Sequence, residues 1–77
     1  MSTSSTKKLA YAEFVAEKIK RHREAKGLKQ VQLARLAEVS TGTLCDIENA
    51  KALPALYTAQ RIAKALGITV DKLLPRI

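Results

Sequence analysis

Seven Asp and Glu, one His and one Cys make up the acids and metal-binding side chains of this 77-residue chain, against 14 Lys and Arg. Their spacing assembles no reaction centre. No nucleophile, base and orienting group stand together, no glycine-rich loop could cradle a phosphate, and no His or Cys recurs at metal-ligand spacing. His22 has no second His or paired Cys, so it reads as a partly buried neutral imidazole rather than a ligand. Cys45 is a lone thiol, and the neighbouring Asp46 and Glu48 oppose the thiolate that a redox switch would need. No cofactor, no metal and no enzymatic activity are expected. The remaining chemistry is non-covalent: cations that attract a polyanion, and a short polar segment, Thr41–Asn49, able to hydrogen-bond another molecule.

The cationic surplus is uneven. The net charge is +7, and residues 1–39 hold nine basic and four acidic residues, against five and three in residues 40–77. Such a surface attracts nucleic acid or an anionic membrane, and charge alone does not choose between them. No apolar run approaches the roughly 20 residues that span a bilayer, and the apolar residues are spent on packing, so no membrane partner is expected. The polar opening Met1–Lys8 has no apolar signal core behind it. With a single cysteine there is no internal disulfide framework, and a reducing cytoplasm is the expected location.

The length supports one small domain. Hydrophobic residues make up 47% of the chain, with one Phe, two Tyr and no Trp, so its core must be built from aliphatics and alanine. That suits close-packed helices. Residues 1–8 are expected to form a disordered polar tail, and residues 9–77 a single domain. Ala12, Val15, Ala16 and Ile19 recur at three- and four-residue spacing from about Leu9, and Gly27 ends that first helix. A second helix spans about Lys29–Ala37. Glu38-Val39 makes a tight turn, and Ser40 caps a third helix, roughly Thr41–Asn49, whose Leu44 and Ile47 face inward. Pro54 marks the entry to a fourth helix with the stripe Ala59, Ile62, Ala63 and Leu66, ended by Gly67. Thr69 can cap a short fifth helix carrying Val70, Leu73 and Leu74 and stopped by Pro75. The expected class is therefore all-α, with five helices, the second and third in a helix-turn-helix layout. In that layout the outer face of the third helix can enter the DNA major groove.

The pattern resembles the lambda-repressor-like (Cro-type, XRE) helix-turn-helix family over about Val15–Leu74. It rests on Arg23-Glu-Ala-Lys-Gly27-Leu, Gln30-x-x-Leu33-Ala34, Val39-Ser40, Ile47-Glu48-Asn49, Pro54 and Ile62-Ala63-Lys64-Ala65-Leu66-Gly67-Ile68. The resemblance implies an ion pair between Arg23 and Glu48 that sets the angle of the third helix. It implies base-edge contacts from Thr41, Gly42 and Asp46, and phosphate contacts from Gln30, Thr43 and Asn49. Lys51 in the following loop is a candidate phosphate clamp. Asp46 can accept from a cytosine amino group, or it can pair with Lys51 or Arg21. Lys29 stands where the family has Thr or Ser. It cannot cap a helix, so the second helix is expected to fray there, with Lys29 adding a phosphate contact instead. Glu38 and Ala50 stand where the family commonly has glycine, and holding either at positive φ would cost about 1 kcal/mol.

The function implied is a sequence-specific regulator of transcription on double-stranded DNA, a repressor acting as a homodimer on a paired operator. The alternative is an antitoxin that neutralises a partner protein through an apolar face. Leu73, Leu74 and Ile77 are the expected dimer contacts by resemblance. The competing surface is Leu9, Tyr11 and Phe14, and Leu73 and Leu74 can instead close the core of the monomer.

Overall fold

The computed structural model describes residues 3–75. Among them every regular element is helical: α1 (Thr3–Ala25), α2 (Gln30–Ala37), α3 (Thr41–Glu48), α4 (Leu56–Leu66) and a 3₁₀ turn (Val70–Lys72). The class is all-α, as the periodicity predicts, but the fifth element is one 3₁₀ turn and not an α-helix. Only seven residues separate Gly67 from Pro75, and a proline disfavours helical geometry at the residue before it. The chain there closes i→i+3 bonds instead, Lys72 N–H to Thr69 O at 3.1 Å and Leu73 N–H to Val70 O at 2.9 Å. The Thr69 side chain makes no cap.

Helix α1 begins at Thr3 rather than near Leu9, so Thr3–Lys8 continue the helix that was expected to start after them. Ser and Thr cost only a few tenths of a kcal/mol in a helix, and each residue added to an existing helix gains a backbone bond. The helix is anchored further along by Ala12, Val15, Ala16 and Ile19, all buried. It ends where Gly27 takes φ +70 and Leu28 N–H reaches back to Arg23 O at 3.1 Å, a left-handed cap that glycine reaches without steric cost.

The other helices close over that face. Val15 and Ile19 of α1 meet Leu33, Ala34 and Ala37 of α2, Leu44 and Ile47 of α3, and Ile62, Ala63 and Leu66 of α4 in one aliphatic core. Leu73 completes it at 0% exposure. This corrects the expected dimer surface: Leu73 is spent on the monomer core, Leu74 is half-buried against it, and Ile77 lies outside the described residues. The 3₁₀ turn delivers Leu73 into the core beside Leu66 of α4.

Two non-glycine residues in the turns sit at positive φ, Glu38 at +59 and Ala50 at +60. Each follows a helix as its left-handed cap. Val39 N–H bonds Ala34 O at 2.9 Å after α2, and Lys51 N–H bonds Asp46 O at 2.9 Å after α3.

Two substitutions check this architecture. Ala50→Gly should stabilise the fold by about 0.5 kcal/mol in urea denaturation, the relief of the left-handed Cβ clash being partly offset by a more flexible unfolded chain; a loss of that size would contradict the cap. Leu73→Ala should cost about 2–5 kcal/mol in the same measurement. A change within 0.5 kcal/mol, the range typical of surface sites, would mean that the side chain is not in the core.

Candidate nucleic-acid interface

Helix α3 is eight residues long, too short to be stable alone, so tertiary contacts hold it in place. At its start Ser40 Oγ accepts from Thr43 N–H at 3.0 Å and donates its own hydrogen to Thr43 Oγ1 at 2.7 Å. Its inner face buries Leu44 and Ile47. Its last turn carries Glu48, the one buried charged residue among those described, at 3% exposure.

Glu48 is where three elements meet. Arg23 near the end of α1 donates Nε to Glu48 Oε2 at 2.8 Å and Nη2 to Glu48 Oε1 at 3.1 Å. Such a fork matches the two carboxylate oxygens, and charge-assisted bonds of this kind are roughly twice as strong as neutral ones. The remaining nitrogen, Nη1, donates to Leu28 O at 2.7 Å. Gln30, the first residue of α2, adds a third donor to the carboxylate, Nε2 to Glu48 Oε1 at 2.9 Å. The carboxylate side chain is wholly buried and the Arg23 side chain 12% exposed. No buried side-chain nitrogen or oxygen among the described residues lacks a partner. One anion thus ties α3 to α1 and to the first turn of α2.

Gln30, which the resemblance assigns to a phosphate, turns its amide onto Glu48, a contact that no local sequence pattern signals. A carboxylate accepts only donors, so the amide must turn its nitrogen inward. That leaves Gln30 its second Nε2 hydrogen and the N–H groups of the α2 start to offer outward. Lys29 occupies the cap position of α2, and its ammonium can accept nothing. The turn is nevertheless ordered rather than frayed: Gln32 Oε1 accepts from Lys29 N–H at 2.8 Å. This is the returning half of a capping box, legible in a Gln three residues into the helix.

The outer face of α3 presents Thr41, Gly42, Thr43 and Asp46, all exposed. A Cβ added at Gly42 would meet nothing within 4 Å, so this position lowers the surface without being demanded by the fold. Among the described residues no ion pair includes Asp46, and Arg21, offered as its partner, pairs instead with Glu17 at 3.1 Å. Cys45 is half-buried, and Asn49 Nδ2 donates to its Sγ at 3.3 Å, which holds the exposed Asn49 against the helix. Lys51 is exposed beyond the end of α3, in a groove of about 490 Å³ shared with Lys8, Leu9 and Leu53. Donors at the start of α2, a polar face on α3 and a cation beyond its end therefore lie on consecutive elements, while Leu73 belongs to the core and Leu74 packs half-buried against it. Among the described residues no His, Cys, Asp and Glu cluster could hold a metal ion, and no helix is long and apolar enough to cross a membrane.

A family model described as Helix-turn-helix matches residues 19–73. The chain is 42% identical over 60 residues to the immunity repressor protein of Bacillus phage phi105, covering 78% of this chain and 42% of that one. It is 35% identical over 60 residues to the HTH-type transcriptional regulator DdrOP3 of Deinococcus deserti, covering 78% and 46%. It spans less than half the length of both relatives. Among solved structures, the restriction-modification controller protein C.AhdI from Aeromonas hydrophila superposes with a TM-score of 0.79 at 25% identity, over 82% of this chain and 96% of that one.

The ion pair is tested by a mutant cycle. Removing either partner strands the other charge, so Arg23→Ala and Glu48→Ala should each cost about 3–5 kcal/mol of folding stability. The double mutant should fall close to the worse single mutant. Additive losses would show that the two groups do not interact.

Proposed function

The chain belongs to the lambda-repressor-like (XRE) helix-turn-helix family of transcriptional regulators, and we propose that it binds double-stranded DNA sequence-specifically through the outer face of α3 and represses transcription. The observation that carries this reading is the contrast between the two faces of α3. The inner face is fixed by Leu44, Ile47 and the three donors on Glu48, while Thr41, Gly42 and Asp46 are left exposed on a rigid rod. Rigid presentation is what base readout requires, since a hydrogen bond to a base edge discriminates only if its geometry is set in advance. In this role Thr41 bonds a base edge or packs on a thymine methyl. Asp46 accepts from a cytosine amino group, and Gly42 lets the backbone approach. Gln30, Thr43, Asn49, Lys29 and Lys51 position the domain on phosphates. With neither Arg nor Gln on the reading face, part of the discrimination falls to DNA shape.

A single helix α3 covers few base pairs, which supports a two-fold pair on half-sites about 10–10.5 base pairs apart. With Leu73 in the core, the apolar residues offered for pairing shift to α1, where Leu9 is 53% and Phe14 38% exposed. The cytoplasm is the compartment where such a regulator meets its DNA.

Binding should weaken steeply with salt, by a log–log slope of about 0.9 per neutralised phosphate. Asp46→Ala and Thr41→Ala should each change base preference at one position, at a cost of about 1–3 kcal/mol, while Lys51→Ala weakens all duplexes alike. Lys51 is the cleaner phosphate probe, because Gln30→Ala also strips a donor from Glu48. Equal affinity for all duplexes at moderate salt would refute sequence-specific recognition. A uniform gain in affinity from Asp46→Ala would remove Asp46 from the readout.

A further inference from the structure

Three residues, Glu38, Val39 and the cap Ser40, join α2 to α3, and the chain bends there through a left-handed Glu38 at φ +59, ψ +41. A side chain there is strained relative to the ordinary right-handed region, and glycine would avoid the penalty. The direction of α3 relative to α2 depends on these few dihedral angles, so a turn free to relax would loosen the reading face.

Arg61, on α4, reaches across to this turn with its whole guanidinium. Its Nε donates to Ala37 O at 2.9 Å, the last carbonyl of α2, and its Nη2 pairs with the Glu38 carboxylate. Its Nη1 donates to Tyr57 Oη at 2.8 Å, and its guanidinium carbon lies 5.1 Å from the centre of the Tyr57 ring. Tyr57 is one helical turn before Arg61 on α4, so it props the guanidinium from below. The Arg61 side chain is 25% exposed and that of Glu38 77%. The exposed carboxylate pair is therefore the weaker contact, and the carbonyl bond is the more sheltered one. A cation also suits the negative end of the α2 dipole.

Together these contacts grip the peptide on the N-terminal side of Glu38 and the Glu38 side chain itself. We propose that Arg61 is a positioning residue for DNA recognition: from α4 it holds the α2–α3 turn in the left-handed conformation that glycine would otherwise supply, and so fixes the angle at which α3 meets DNA. The proposal rests on the reading of α3 as the DNA-contacting helix for its consequence, but not for the turn itself. Lysine cannot take this place, since one ammonium does not offer three donors in a planar fork.

The test combines Arg61→Met and Arg61→Lys with Glu38→Gly. Backbone amide exchange at Glu38 and Val39 is measured on folded protein without DNA. The ratio of affinity for a selected duplex to that for a scrambled one is measured separately. Both Arg61 variants should speed exchange at the turn and lower the affinity ratio by about tenfold, the size of a contact-level coupling. Adding Glu38→Gly should return both to within about threefold of the native values, because glycine needs no clamp. Unchanged turn exchange in Arg61→Met would overturn the proposal, as would a loss that Glu38→Gly leaves uncorrected. If the native protein does not discriminate between duplexes, the DNA reading fails, and the exchange measurements still decide whether Arg61 holds the turn.

Discussion

One buried carboxylate determines how α3 sits. Glu48 receives two donors from Arg23 and one from Gln30, so the end of α1 and the start of α2 are both fastened to the last turn of α3. A carboxylate in an aliphatic interior is tolerated only when its oxygens are matched by donors, and the desolvation cost makes a partial match worse than none. Hydrophobic burial alone would leave α3 free to roll on Leu44 and Ile47, because dispersion contacts are weakly directional. The directional bonds at Glu48 select one roll angle. That angle leaves Thr41, Gly42 and Asp46 exposed on the outer face.

The opposite end of α3 is held by different means. Ser40 closes the first turn through Thr43, and Arg61 fastens the turn before it from α4. Glu38 and Ala50 both stand in left-handed geometry, where glycine would be unstrained. The strain of about 1 kcal/mol at each is small beside the burial of the eleven-residue core cluster. At Glu38 it coincides with an ion pair that a glycine could not make, whereas Ala50 has no comparable partner.

Most of the fold was legible from helical periodicity, because its helices pack on one face and the core residues recur at three- and four-residue spacing. The Arg23–Glu48 pair came from resemblance; nothing in the local pattern relates residues 25 apart. Arg61 and the inward turn of Gln30 were invisible for the same reason. Each depends on a side chain crossing between elements, and their short-range patterns are those of ordinary surface residues. The end of the chain misled in the other direction: Leu73 and Leu74 are apolar and near the terminus, which describes a dimer contact as well as a core plug. Only the packing decides between them, and it places Leu73 inside.

The most direct test is a chemical-shift map of the backbone amides as a duplex selected from a random pool is added, against a scrambled duplex of equal length. The predicted result is a set of large shifts at Lys29 and the first turn of α2, along α3 and at Lys51, with those of Thr41, Gly42 and Asp46 absent on the scrambled duplex. Shifts centred instead on Leu56 and Tyr57, or on Leu9 and Phe14, with α3 undisturbed, would contradict the assignment of α3 as the helix that reads DNA.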